Sequence, residues 1–222
     1  MNKLKTTQNV FAALLTGAIS TIASSAIAQE VLKWGHVYES ATPYHQAALM
    51  AATDFEAATN GRYKIEVFRA SQLGKEVALN EGLSLGTVDI IYTGVAFMGQ
   101  SYPPIAISDF PFTMRDFDHW AAYSESDLFS ELAQAYTGIT GNHVVNLTYY
   151  GARHVTANKP ILTPADMVDW KIRTPNAPAY KMFPEITGAN PTPMAFSEVY
   201  WALQQGVVDA QENPLPTIQF KK

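Results

Sequence analysis

The chain has 222 residues, with 15 lysines and arginines against 20 aspartates and glutamates, for a formal net charge of −5. That balance opposes nucleic acid or anionic lipid as a partner. Cysteine is absent, which excludes disulfides, thiolate catalysis and cysteine-ligated zinc or iron–sulfur centres.

Residues 1–28 read as a secretory signal rather than as structure. Lys3 and Lys5 give a positive start, Val10–Ile22 is almost wholly apolar or small, and Ala26-Ile27-Ala28 is the small-x-small pattern that precedes cleavage. The apolar stretch is short and interrupted by Thr16, Gly17, Ser20 and Thr21, unlike a membrane span. Loss of the two lysines would leave a mature chain at −7, starting at Gln29 and secreted across the inner membrane or its equivalent. No second stretch of this kind follows, so the mature chain is expected to be soluble and not embedded in a membrane.

The mature part opens with a strand at 31–36, then a helix over 44–59 capped by Ser40 or Thr42 and stopped at Asn60-Gly61. Period-two alternation over Tyr63–Phe68 predicts a half-buried strand. A helix over 75–85, ended by Gly86, and a strand over 88–92 complete a strand–helix alternation, the mark of an α/β lobe with a largely parallel sheet. Residues 105–112 read as extended, 116–138 as one helix and 144–150 as a strand of high β propensity.

After Gly151 a similar alternation restarts. It comprises a strand at 153–157, a short helix from 163, a strand at 171–173, a helix at 179–186 and a short strand at 192–194. A helix at 197–205, stopped by Gly206, and a strand at 207–211 follow. The expected organisation is a first α/β lobe over 29–149 and a second over 150–222, with no tandem repeat.

No nucleophile elbow, phosphate loop, dinucleotide fingerprint or zinc-protease motif is present. Histidines 36, 45, 119, 143 and 154 are scattered without metal-ligand spacing, so neither a metal nor a cofactor is expected. Two arginines stand out. Arg153 begins a predicted strand, and Arg173 ends one just before a proline turn, where ligands bind in open α/β folds. A guanidinium fork matches a carboxylate through two parallel hydrogen bonds, although position alone favours surface ion pairs for both. Asn213 either donates to a ligand oxygen or caps a turn, and Phe196 either stacks on a ligand or fills a core.

These residues sit in stretches that resemble the substrate-binding subunit of TRAP (tripartite ATP-independent periplasmic) transporters, the DctP family. The matching pieces are Lys171-Ile-Arg-Thr-Pro-Asn176, Gly188-Ala-Asn-Pro-Thr-Pro-Met-Ala-Phe-Ser-Glu-Val-Tyr200 and Ala202-Leu-Gln-Gln-Gly-Val-Val-Asp-Ala-Gln-Glu-Asn-Pro214. Ser71-Gln-Leu-Gly74, Gly86-Thr-Val-Asp89 and Tyr150-Gly-Ala-Arg153 fit as well, so the likeness covers nearly the whole mature chain.

The resemblance implies a two-lobed periplasmic binding protein fold, class II-like. Family members continue well past the Glu-Asn-Pro motif, so the C-terminal part of that fold is expected to be truncated here. It implies capture of a small organic acid, delivery to large and small TRAP membrane subunits, and no catalysis. Arg173 matches the arginine that clamps the substrate carboxylate, Asn213 the asparagine that supports it, and Arg153 and Phe196 further pocket positions. His36, Tyr38 and Glu76 fall where relatives line the cleft; His36 and Glu76 suit hydroxyl groups, which favours a sugar acid such as a uronate or aldonate. Gly94 stands where sialic-acid-binding members carry a glutamate, which disfavours sialate. The alternatives are a ligand-binding sensor domain without a transporter and a periplasmic enzyme acting on an organic acid.

Overall fold

The computed structural model describes residues 28–221; the targeting segment read at 1–28 lies outside them except for Ala28. Two sheets organise the chain. The first is built by β1 (Glu30–Gly35), α1 (Pro43–Ala58), β2 (Tyr63–Phe68), α2 (Glu76–Leu85) and β3 (Ile90–Ile91), with its parallel strands in the order β2-β1-β3. Thr42 caps α1 by accepting from the His45 amide, with Pro43 in the first turn where its missing N–H costs nothing. Gly86 closes α2 in the left-handed conformation at φ 70°.

The linking region holds α3 (Val95–Met98), a 3-10 segment at Pro103–Asp109, α4 (Phe117–Ser124) and α5 (Asp127–Thr140). The expected extended run at 105–112 is thus largely a 3-10 turn, with Ile105 and Ala106 buried against α3 and α5. The single helix expected at 116–138 is broken, because Ser126 caps a new helix by accepting from the Phe129 amide. Residues 144–150 form no strand. Val144 and Leu147 pack on Val95, Met98, Ile105 and Tyr136, but no neighbouring strand pairs with their backbone.

The second sheet comprises β4 (Arg153–Ala157), β5 (Lys171–Thr174), β6 (Asn190–Pro193) and β7 (Ala210–Pro214), in the order β4-β7-β5-β6. Here α6 (Pro178–Ile186) joins β5 to β6, α7 (Val199–Gln204) leads into β7, and α8 (Leu215–Lys221) follows it. Strands β5, β6 and β7 run parallel, and β4 adds antiparallel to β7. Apart from β4, this repeats the first sheet: the order β6-β5-β7 corresponds to β2-β1-β3.

The correspondence reaches single residues. Gly86-Thr-Val-Asp89 and Gly206-Val-Val-Asp209 each follow a helix that ends in a left-handed glycine. The Asp89 carboxylate accepts from the Lys33 amide at 2.7 Å, and the Asp209 carboxylate from the Lys171 amide at 2.8 Å. Each aspartate thereby pins a strand whose far end approaches the cleft: Lys33 lies within β1, which ends at Gly35 just before His36, and Lys171 begins β5, which ends at Thr174.

The carboxyl ends of the two sheets meet. Val37 and Leu79 from one half bury against Phe196 and Val199 from the other, and Ala96, Phe97 and Ala106 against Ala177, Ala179 and Tyr180. This places the site where strand ends, with their unpaired backbone groups, face each other.

Candidate ligand-binding site

Every residue of β7 is buried, because the strand is central in its sheet. The register Arg153↔Pro214 and Arg173↔Gln211 then gathers Arg153, Arg173, Glu212 and Asn213 at one edge. The strand at 207–211 expected from the sequence is displaced toward the C-terminus, so Asn213 lies inside β7 rather than after it.

Arg173 is only 1% exposed, the largest of the fully buried side chains, and is no surface ion-pair residue. Its Nε and Nη2 donate to the Met194 carbonyl at 3.1 and 2.8 Å, and its Nη2 stands 3.9 Å from Glu76 Oε1. Burial pulls its pKa down to about 10; Glu76 opposes that and Arg153 reinforces it. A buried cation paired mostly with a neutral carbonyl leaves hydrogen-bonding capacity for an anion.

Arg153 is engaged differently. Its Nε and Nη2 donate to the Glu212 carboxylate, and Nη2 also reaches the Glu212 carbonyl at 2.8 Å and Asn213 Oδ1 at 3.4 Å. Burial lowers its pKa, but the charge and hydrogen bonds of Glu212 outweigh that and the net shift is upward. Its guanidinium carbon lies 4.8 Å from the centre of the Tyr180 ring, within cation–π range. Asn213 donates through Nδ2 to Gln211 Oε1 at 2.7 Å, which ties it into the same network.

Glu76, at the first turn of α2, crosses between the halves: its carboxylate accepts from the Phe196 amide at 2.9 Å. Phe196 is buried among Val37, Leu79 and Val199, with the Lys221 ammonium 4.5 Å from its ring centre. A cleft of about 300 Å³ opens here, lined by Glu76, Val77 and Phe97 on one side and Asn176, Pro193 and Met194 on the other. Neither arginine lines it; Glu76 and Met194, whose oxygens lie 3.9 and 2.8 Å from the Arg173 guanidinium, form part of its wall.

Tyr38 belongs to an aromatic group between the halves, its ring 4.8 Å from Tyr44, 5.8 Å from Tyr150 and 6.3 Å from Tyr92. Burial, reinforced by Tyr150, Tyr180 and Tyr44, lifts its hydroxyl well above the ordinary phenol range, which keeps it uncharged. His36 is fully buried and committed within the protein. Its Nδ1 accepts from the Tyr38 amide at 3.2 Å, which assigns the proton to Nε2 and makes that atom the donor to His45 Nδ1 at 3.1 Å. Burial, and after it the neighbouring His45, lower its pKa to about 4.

The structure thus assembles Arg173, Arg153, Asn213, Phe196, Glu76 and Tyr38 at the meeting of the sheets, while His36 lies beneath them. Residues that spacing did not single out also converge here. Glu212 occupies the Arg153 fork, and Tyr180 donates to Asp109 at 2.8 Å across the halves. The Thr174 hydroxyl, buried beside Arg173, has no hydrogen-bond partner. Gly94 is explained sterically: a Cβ there would come 2.5 Å from the Tyr180 hydroxyl and 3.3 Å from Asp109. Among the described residues no cluster of histidine, aspartate or glutamate could hold a metal ion, and no helix is long and apolar enough to cross a membrane.

Comparison with known proteins assigns the chain to a family. Residues 34–222 match the family model DctP, described as bacterial extracellular solute-binding protein, family 7. A solute-binding protein of Roseobacter denitrificans is 35% identical over 208 residues, which cover 93% of this chain and 64% of the relative. The crystal structure of this TRAP periplasmic solute-binding protein with bound L-galactonate superposes at a TM-score of 0.81, covering 86% of this chain and 64% of that one. A TRAP periplasmic solute-binding protein from Polaromonas, bound to D-erythronate, also gives a TM-score of 0.81, at 34% identity, covering 86% of this chain and 63% of that one. The sialic acid-binding periplasmic protein of Vibrio cholerae is 34% identical over 219 residues, 99% of this chain and 67% of the relative. The chain therefore spans about 64% of the Roseobacter relative's length. It has the two-lobed α/β fold of these binding proteins and belongs to the DctP family, bacterial extracellular solute-binding protein family 7.

Proposed function

We propose that the protein is a periplasmic receptor that binds a small hydroxylated organic acid, such as an aldonate or uronate, and delivers it to TRAP membrane subunits without chemical turnover. The carrying observation is Arg173, a guanidinium 1% exposed at a strand's carboxyl end whose nearest carboxylate, Glu76, is 3.9 Å away. The acid head of the ligand takes that vacant pairing role, Arg153 and Asn213 frame it, and Tyr38, Glu76 and the Thr174 hydroxyl serve the ligand's hydroxyl groups. Sugar acids bound by relatives support this class, as L-galactonate does in the Roseobacter protein and D-erythronate in the Polaromonas protein.

The physics of capture follows from burial. Contacts such as Lys75–Glu198 at 2.6 Å and Glu76–Phe196 at 2.9 Å join the two halves directly. Closing the halves removes water from around the guanidinium and strengthens every charge-assisted bond it makes. An empty closed cleft leaves that charge poorly compensated, so the ligand favours the closed form by its higher affinity for it.

Calorimetric titration of the full-length protein with L-galactonate, D-erythronate and galacturonate tests the reading. Saturable one-to-one binding with the acid recovered unchanged is expected. Absence of heat with all three, or conversion of any of them to product, refutes it.

A further inference from the structure

We propose that Tyr180 and Asp109 form a clasp that sets how long a captured acid is held, with Tyr180 as a positioning residue that joins the Arg153 side of the site to the opposite half. The inference rests on the receptor reading above and deepens it, from what is bound to what controls release.

Tyr180 stands in the first turn of α6 and is buried. Its two ends do different things. The Arg153 guanidinium carbon lies over the ring at 4.8 Å from its centre, while the hydroxyl crosses to the other half and donates to Asp109 Oδ2 at 2.8 Å. Burial, and after it the Asp109 charge, holds that hydroxyl well above the ordinary phenol range, so it keeps the proton it donates. Asp109 ends the 3-10 segment, and the same oxygen accepts from the Ala96 amide at 3.0 Å, which fixes the carboxylate's direction. Apolar residues seal the surroundings, with Ala96, Phe97 and Ala106 of one half packed on Ala177 and Ala179 of the other. Gly94 leaves the room that the hydroxyl needs, since a Cβ there would come within 2.5 Å of it.

Other bonds between the halves differ in kind. Lys75 and Glu198 are both about half exposed, where solvent and salt leave an ion pair little net effect. Gln100 reaches the Asn176 carbonyl only at 3.4 Å. Glu76, which accepts from the Phe196 amide, belongs to the set assigned to the ligand. The Tyr180–Asp109 bond is buried, charge-assisted and outside that set, so its strength acts on the joined state of the halves alone. When the halves part, water solvates the Asp109 carboxylate. When they meet without the Tyr180 hydroxyl, that charge lacks a donor in a dry setting. The clasp therefore acts on release. An acid arrives at parted halves, before the bond exists, and leaves only after it breaks.

Stopped-flow fluorescence on the full-length protein separates the two rates, using whichever of L-galactonate, D-erythronate and galacturonate binds in the calorimetry above. Tyr180→Phe keeps the ring on Arg153 and removes only the hydroxyl. Its dissociation rate is expected to rise about 10- to 100-fold, as for loss of one hydrogen bond to a charged acceptor, with the association rate within about threefold of the parent. Asp109→Ala should raise the dissociation rate similarly. The double variant should be no faster than the faster single one, because both substitutions remove the same bond. A dissociation rate within about threefold of the parent in folded Tyr180→Phe overturns the inference and leaves the receptor reading standing. So does a loss of affinity carried by slower association, or effects of the two substitutions that add in the double variant. Should Tyr180→Phe not fold, Asp109→Asn, which removes the charge and keeps the shape, carries the test. Its dissociation rate should rise about fivefold, and an unchanged rate overturns the inference. Failure of all three acids to bind overturns the receptor reading and this inference with it.

Discussion

Replacing Arg173 by methionine separates a binding role from a structural one. The substitution keeps much of the stem volume and removes the charge, two hydrogen bonds to Met194 at 2.8 and 3.1 Å, and the approach to Glu76. Truncating one partner of a buried charge pair costs about 2–5 kcal/mol of binding, so the dissociation constant for a bound acid should rise about 30- to 4,000-fold. Stability of the unliganded protein should respond quite differently. Desolvation already lowers this guanidinium's pKa to about 10, so the charge is held unfavourably in the empty site. Removing it relieves that cost while freeing one carbonyl, and the net change in unfolding free energy should stay within about 1.5 kcal/mol. Calorimetric titration measures the first quantity and urea unfolding without ligand the second. Affinity within threefold of the parent, together with a stability loss of about 3–5 kcal/mol, would show that Arg173 holds the fold rather than the ligand.

Acid should weaken the protein through the buried His36–His45 pair. The unfolded chain takes up a proton at His36 near pH 6.5, whereas the folded chain resists until about pH 4, so stability falls as the pH drops between these values. The loss from His36 is about 3 kcal/mol, and His36→Gln should flatten that part of a urea-unfolding pH profile; an unchanged slope would contradict the assignment. Gly94→Ala should cost about 1–3 kcal/mol of stability, because its Cβ would displace the Tyr180 hydroxyl from 2.5 Å; a thermal midpoint unchanged from the parent argues against that contact. Tyr180→Phe removes the hydrogen bond to Asp109 and should lower stability by about 1.5–3 kcal/mol in urea, since the acceptor is a carboxylate. Ile172→Ala, at a position with no exposed surface, should cost about 2–5 kcal/mol in the same assay.

Local chemistry in the sequence decides much of the scaffold. Thr42-Pro43 starts α1, the glycines at 86 and 206 stop the helices before β3 and β7, and period-two alternation marks β2. The paired Gly-x-Val-Asp stretches even encode the shared plan of both sheets, since each aspartate reaches the amide of a lysine that begins a strand's buried run. The arginine at 173 was legible as a candidate because strand ends before prolines are where ligands meet α/β sheets.

Other features depend on neighbours far away in the chain. Val144–Tyr150 has the composition of a strand, yet no partner strand accepts its backbone, and propensity alone cannot supply one. Spacing does not distinguish Arg153 from Arg173. Tertiary register brings Glu212 onto the first and leaves the second with Met194 and a distant Glu76, because β7 lies between β4 and β5. His36 likewise reads as a cleft residue by position, and only packing against His45 shows that both ring nitrogens are occupied. Composition and periodicity act over a few residues and so determine elements; which charges meet, and which are left unpaired, is decided by strand order and burial.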